Sequence, residues 1–195
     1  AQHHPIALAK RAASLDALSG GRFLFGVGGG WLAEEMESHD LAYQDRWKVL
    51  RECVLAMQAC WTQQDAEFHG EFFDFDPVWV EPKPVSRPHP PIFIGATSTW
   101  AMDRIAEYAQ GWYPVHVPEF DERLQELTQA CAARGRSIND IDITLLTMVE
   151  SEDQLAQLEA KGVNRIVLTL PTLARDESLA VLDGYANIIE WAQGL

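Results

Sequence analysis

No run of Lys or Arg stands out anywhere in these 195 residues, and 15 basic residues face 29 acidic ones, a net charge of −14. Nucleic acid and anionic membranes, which are held through clustered cations, are therefore poor partners. The acidic surplus reads as helix faces turned to water. Cysteine is scarce as well: Cys53, Cys60 and Cys131 are odd in number and lack C-x-x-C spacing. That pattern speaks against a disulfide framework and a zinc site, and it fits a reducing cytoplasm. His69, His89 and His116 are scattered without ligand spacing, so no metal is expected. No stretch of about 18 apolar residues occurs, and the opening Ala-Gln-His-His-Pro lacks the basic flank and apolar block of a signal peptide. A G-x-S-x-G elbow and a complete dinucleotide fingerprint are also missing, which weighs against an open α/β hydrolase or dehydrogenase.

What is present is an alternation of helix and strand. With 47% hydrophobic residues, and ten Pro against thirteen Gly, the chain can bury one sizeable core, and a single domain over residues 1–195 is expected. Ile6, Leu8, Ala9, Ala12, Ala13, Leu15 and Leu18 form a helical stripe that Ser19-Gly20-Gly21 stops. Phe23 to Val27 is a short apolar run bounded by Gly, as in a strand buried on both faces. Trp47, Leu50, Val54, Met57 and Trp61 then mark an amphipathic helix in which Cys53 and Cys60 are packing residues. Residues 62–90 break the pattern as an inserted loop, with a small hairpin at Phe68–Phe72 and Pro77, Pro82, Pro84, Pro88 and Pro90 excluding helix.

Four further strands are predicted at Pro91–Ile94, Trp112–Val115 with its end at Pro118, Ile141–Val149 and Arg165–Leu170. Helices at Ala101–Ala109, Phe120–Arg134, Leu155–Ala160 and Asp176–Trp191 separate or follow them. Such alternation implies parallel strands joined by right-handed crossovers, in an open sheet or a (β/α)8 barrel. A barrel needs eight strands and about 250 residues. About five βα units are read here, so the expectation is an incomplete TIM barrel whose first three strands are absent and whose edge strands favour self-association.

Two turns draw attention. Gly26-Val27-Gly28-Gly29-Gly30-Trp31 stands at the carboxyl end of a strand and ahead of a helix, where glycines admit a ligand closely or take positive φ. A dinucleotide reading through Gly28, Gly30 and Ala33 lacks its acidic ribose ligand, and a tight turn without ligand is the bland alternative. Ile94-Gly95-Ala96-Thr97-Ser98-Thr99-Trp100 ends another strand in small residues and hydroxyls, just where a helix begins. Backbone amides there, with Thr and Ser hydroxyls, suit a phosphate; otherwise Ser98 or Thr99 is a plain N-cap. The carboxylates Glu34, Glu35 and Glu37, with His39 and Asp40, follow the first turn, and the helix dipole explains their crowding as well as acid–base work does.

The order of these segments resembles a known family. Leu15-Asp16-x-Leu18-Ser19-x-Gly21-Arg22, then Gly26-Val27-Gly28-x-Gly30-Trp31 and Glu35, is similar to the region around the fourth strand of luciferase-like monooxygenases. So are Glu81-Pro82-Lys83-Pro84-Val85, Pro90-Pro91-Ile92-x-Ile94-Gly95, Gly111-Trp112-Tyr113-Pro114, Gly162-Val163-x-Arg165 and Leu170-Pro171. Ala96 and Gln110 depart from the usual Gly and Asp of this pattern. The resemblance implies a bacterial-luciferase-like TIM barrel that binds FMN or the 8-hydroxy-5-deazaflavin coenzyme (coenzyme F420), and Gly-x-Gly-Trp with the late Leu-Pro resembles the deazaflavin branch.

By the same resemblance, Gly28, Gly29 and Gly30 lie beside the cofactor and Trp31 lines its pocket, while Gly95, Ala96, Thr97, Ser98 and Thr99 hold its phosphate. The activity implied is an oxidoreductase acting on a small organic substrate, with reduced FMN and oxygen as a monooxygenase or with the deazaflavin as hydride carrier. Relatives commonly form homodimers. A noncatalytic flavin-binding shortened barrel is the alternative. His3 and His4 match the turn after the third strand and are candidates to face the pocket; no catalytic residue is assigned.

Overall fold

The computed structural model describes residues 2–115 and 119–194. The chain divides into two compact units, Ala1–Phe93 and Ile94–Leu195.

In the first unit, α1 (Pro5–Ser19) starts with Pro at its first position, where the missing N–H costs nothing. It ends at Gly20, whose φ of 65° is left-handed, with Gly20 N–H bonded to Ala17 O and Gly21 N–H to Asp16 O. Its buried face is Ala9, Ala12, Ala13 and Asp16, so the expected stripe is corrected: Leu15 and Leu18 are exposed. Small alanines let α3 (Arg46–Thr62) pack closely, and Trp61 Nε1 donates to Ala9 O at 3.0 Å. Between them lie β1 (Phe25–Val27), shorter than predicted, and the five-residue α2 (Ala33–Glu37). The predicted face of α3 is buried through Leu50, Cys53, Val54, Met57, Cys60 and Trp61. Each large apolar side chain of that set contributes about 1.5–3 kcal/mol of burial.

The hairpin is β2 (Ala66–His69) paired antiparallel with β3 (Asp74–Val78). Its turn is held by the Glu52 carboxylate, which accepts the N–H groups of Glu71, Phe72 and Phe73 at 3.0, 2.8 and 3.3 Å. A proline-rich segment follows, pinned to α1 by Asp16: this fully buried carboxylate accepts Ser86 N–H at 2.8 Å and the Ser86 hydroxyl at 2.7 Å. Both carboxyl oxygens are thus hydrogen-bonded, as burial of a polar side chain requires. β4 (Ile92–Ile94) neighbours β1, with Phe25 N–H bonded to Pro91 O, and its last residue opens the second unit.

The second unit continues with α4 (Thr99–Tyr108), β5 (Gly111–Trp112), α5 (Phe120–Ala133), β6 (Asp142–Leu146), α6 (Glu152–Ala160) and β7 (Val163–Val167). β6 lies between β5 and β7, parallel to both, in registers Trp112↔Ile143 and Leu145↔Ile166. An irregularity after Ile143 would strand its N–H, and Asn164 Oδ1 accepts it at 2.8 Å. Arg136 closes α4 by donating to the carbonyls of Ile105, Ala106 and Ala109. This alternation is an α/β fold with parallel strands.

Three expectations shift. The third predicted strand is reduced to Gly111–Trp112 plus one bridge, Val115↔Leu146, and its predicted end at Pro118 falls outside the described residues. β7 begins two residues before Arg165, since the run to Leu170 is partly loop. The single last helix is two, α7 (Arg175–Gly184) and α8 (Ala186–Gly194), broken at Tyr185, whose hydroxyl donates to Thr169 O at 2.6 Å.

Candidate functional site

Both predicted turns stand at carboxyl ends of strands, the position where α/β folds place their ligands. In the first, Gly28 is exposed and Gly29 is buried. A Cβ on Gly29 would lie 2.9 Å from Trp47 Cε2, and Gly30 has φ of 81° with Met36 Cε where its Cβ would be. Packing against Trp47 and Met36 therefore accounts for two of the three glycines, whatever binds at Gly28. Trp31 stands 82% exposed beside them. Glu34, Glu35, Glu37, His39 and Asp40 are all exposed on the short α2 and the turn after it, and Asp40 takes φ of 54°.

Beside Gly28 lies a cavity of ≈ 320 Å³ lined by His3, Phe25, Gly26, Leu50, Cys53 and Met57. The His3 carbonyl accepts the Cys53 thiol at 3.7 Å. Burial pushes the Cys53 thiol up to about 11, so it is neutral and unreactive near pH 7. His4 is the N-cap residue of α1 and its ring meets Phe73 edge-on at 6.2 Å.

The second turn is built more openly. Gly95, Thr97, Ser98 and Thr99 are exposed, and Ser98 is the N-cap of α4 but makes no side-chain cap bond. Ala101 N–H donates to Ser98 O at 2.8 Å, and the amides of Thr99 and Trp100 are left without a cap acceptor, as at helix ends that receive an anion. The backbone beneath is fixed. Trp112, fully buried and stacked on Phe120 with ring centroids 5.5 Å apart, donates from Nε1 to Ala96 O at 2.8 Å. Arg123 on α5 donates to Thr99 Oγ1 at 2.7 Å while paired with Glu126 at 2.6 Å. A hydroxyl that accepts from a guanidinium keeps its own hydrogen free to donate elsewhere.

Trp112 and Arg123 were not singled out by sequence reasoning for this role. Trp112 carried a signal, since it belongs to the quoted Gly-Trp motif, whereas Arg123 had none, its partner being distant in sequence. His69 and His89 are separately engaged. His69 pairs with Asp74 at 2.6 Å, and this bond holds its imidazole above the usual range. His89 sits over Trp61, within 3.3 Å of Gln58 Nε2 and 2.9 Å of Pro90 O. His116 lies outside the described residues. Among the described residues no group of three or more His, Cys, Asp or Glu could hold a metal ion, and no helix is long and apolar enough to cross a membrane.

A family model described as luciferase-like monooxygenase matches residues 1–193. An uncharacterised protein of Mycobacterium tuberculosis is 38% identical over 188 residues, covering 95% of this chain and 66% of that protein. The FMNH(2)-dependent dimethylsulfone monooxygenase of Pseudomonas putida is 29% identical, with 97% of this chain and 54% of the relative covered. The chain therefore spans about half to two thirds of the length of these relatives. Among solved structures, monooxygenase RslO1 from Streptomyces bottropensis superposes with a TM-score of 0.67 at 26% identity, over 82% of this chain and 50% of that one. An F420-dependent secondary alcohol dehydrogenase in complex with an F420-acetone adduct shares the fold, with a TM-score of 0.72 at 13% identity, over 85% and 69% of the two chains.

Proposed function

The chain belongs to the luciferase-like monooxygenase family, and on that premise we propose that it is the cofactor-holding part of an oxidoreductase that uses FMN or the deazaflavin coenzyme F420 on a small organic substrate. In this reading its parallel strands are an arc of a TIM barrel. The uncapped start of α4, on a backbone braced by Trp112 and Arg123, carries the proposal. Gly95, Ala96, Thr97, Ser98 and Thr99 would hold the phosphate through backbone amides and hydroxyls, and Ala96 in place of a glycine removes no amide donor. Gly28, Gly29 and Gly30 would border the ring system, with Trp31 covering it. The bound cofactor supplies the redox chemistry, as hydride carrier or as the reduced flavin that meets oxygen; the protein positions it and excludes water.

Thr99→Pro tests this directly. Thr99 is the first residue of α4, and Ser98 before it is extended (φ −74°, ψ 152°), so proline fits the helix start while deleting one amide donor. With helix content unchanged by circular dichroism, the variant should bind FMN or F420 roughly ten- to a hundredfold more weakly, the value of one hydrogen bond to a charged group. Equal affinity in variant and parent, or no binding of either cofactor by well-folded parent protein, would sink the proposal. Binding without consumption of any substrate would support the noncatalytic alternative instead.

A further inference from the structure

Within the second unit, the amino ends of β6 and β7 are the opposite ends from those where parallel α/β sheets place their ligands. There a cavity of ≈ 380 Å³ has a floor of Leu124, Ile138, Ile141 and Ile143, of which Ile141 and Ile143 belong to the core. Its rim is polar, with Thr128, Asn139, Lys161 and Asn164, and among the described residues no Asp or Glu lines it. In a chain of net charge −14 the lining thus carries one positive charge and no negative one. The walls are fixed. The turn Ile138–Asp140 is held by a capping box in which Ser137 N–H donates to Asp140 Oδ2 at 2.9 Å and Asn139 N–H to Ser137 Oγ at 3.2 Å. Asn164 Oδ1 accepts the stranded Ile143 N–H at 2.8 Å, which orients the amide and leaves its Nδ2 hydrogens without a partner among the described residues. Lys161 Nζ meets Asp121 Oδ1 at 2.7 Å and Oδ2 at 2.9 Å, so at least one of its three N–H groups is unspent. Thr128 spends its hydrogen on Leu124 O at 2.7 Å. The donors offered to a guest are therefore Lys161, Asn139 and Asn164.

We infer that this cavity binds a short-chain aliphatic monocarboxylate, its carboxylate at Lys161, Asn139 and Asn164 and its hydrocarbon tail on the isoleucine floor. A cationic guest would meet Lys161 with no acid in the lining, and a wholly apolar one would leave the amide and ammonium donors unspent. A phosphate monoester would bring a second negative charge to a rim with a single cation. A monocarboxylate matches both halves, since its oxygens accept from several N–H groups and its tail removes apolar floor from water. The Lys161–Asp121 pair stands open to solvent, with side chains 42% and 67% exposed, and exposed pairs contribute little. A carboxylate that shares Lys161 therefore displaces little. The volume lies near the lower end of ligand pockets and suits a tail of about four to six carbons. This site is independent of the cofactor reading, since it lies at the other ends of the strands and needs no redox chemistry.

Hexanoate is the probe, added to protein labelled with carbon-13 at the isoleucine methyls and nitrogen-15 at the amides. The Ile138, Ile141 and Ile143 methyls and the Gly162 amide should shift saturably, with half-saturation at about 1 mM, an ordinary value for a guest of about eight heavy atoms. The methyls of Ile92, Ile94 and Ile105, buried elsewhere, should stay in place. Hexan-1-ol, which keeps the tail, should bind roughly tenfold more weakly, and hexylammonium not at all. Three substitutions at exposed positions, which leave the core untouched, separate binding from folding. Lys161→Met keeps the stem and should weaken hexanoate roughly tenfold while leaving hexan-1-ol unchanged. Asp121→Asn frees Lys161 and should tighten hexanoate, a gain that a purely structural ion pair would not give. Asn139→Asp places a carboxylate on the rim and should abolish hexanoate binding with Tm little changed. Shifts that rise linearly without saturation, hexan-1-ol that binds as well as hexanoate, or Lys161→Met protein that holds hexanoate as the parent does would overturn the inference.

Discussion

Replacing Trp112 by Phe separates support of the phosphate turn from general packing. Trp112 is completely buried, stacks on Phe120 at an interplanar angle of 1°, and donates one hydrogen bond to Ala96 O at 2.8 Å. Phenylalanine retains a stacking ring but loses the donor and leaves a smaller side chain. The lost bond costs about 1 kcal/mol, since Ala96 is only half-buried and its carbonyl can regain water. The partial cavity left by the missing indole ring adds about 1–2 kcal/mol. A loss of about 2–3 kcal/mol in urea denaturation is therefore expected, against about 3–5 kcal/mol for Trp112→Ala. Function provides the sharper readout. With the Ala96 carbonyl released, the amides that follow it lose their fixed direction, and affinity for FMN should fall while affinity for riboflavin, which lacks the phosphate, stays level. If FMN and riboflavin weaken together, or stability falls with FMN affinity intact, Trp112 does not support a phosphate site.

Other substitutions report on the framework. Gly30→Ala forces a side chain into a left-handed backbone conformation against Met36, and should cost about 1–3 kcal/mol by thermal denaturation, partly recovered when Met36→Ala is added. Ser86→Ala leaves the buried Asp16 carboxylate with one of its two donors and should lower stability by about 1.5–3 kcal/mol; no loss would mean that solvent reaches Asp16. For His69 the Asp74 bond raises the folded-state pKa, so the stability it contributes is complete below the ordinary histidine value and fades as pH rises through the raised one. Proton NMR should show His69 titrating above ordinary histidines, with Asp74→Asn returning it toward them. Cys53 should resist a thiol-modifying reagent at pH 8 until the protein unfolds, and rapid labelling of native protein would contradict its burial.

The helices were legible where a single spacing decided them. Trp47 to Trp61 repeat at three and four residues, and the structure buries that face of α3. The face of α1 was misjudged because alanine, weak as a hydrophobic signal, is what allows α3 to approach, so Ala9, Ala12 and Ala13 are buried where Leu15 and Leu18 are not. The break at Tyr185 coincides with a hydrogen bond from its hydroxyl to Thr169 O, sixteen residues away, which no local pattern can announce. The two turns were legible as glycine and hydroxyl clusters at strand ends. Why Gly29 and Gly30 must be glycine was not, because Trp47 and Met36 reach them only in the folded chain. Arg123 likewise meets Thr99 only through the packing of α5 on α4.

The most direct test is an amide NMR titration of the nitrogen-15-labelled chain with FMN beside riboflavin, and with coenzyme F420 beside its deazaflavin lacking the phosphate. The account requires one of the two cofactors to bind more tightly than its phosphate-free counterpart and to shift the amides of Gly95 to Trp100 far more than that counterpart does, with Gly28 to Trp31 responding to both. Equal affinity within both pairs of ligands, or cofactor shifts that bypass Gly95 to Trp100, would contradict it.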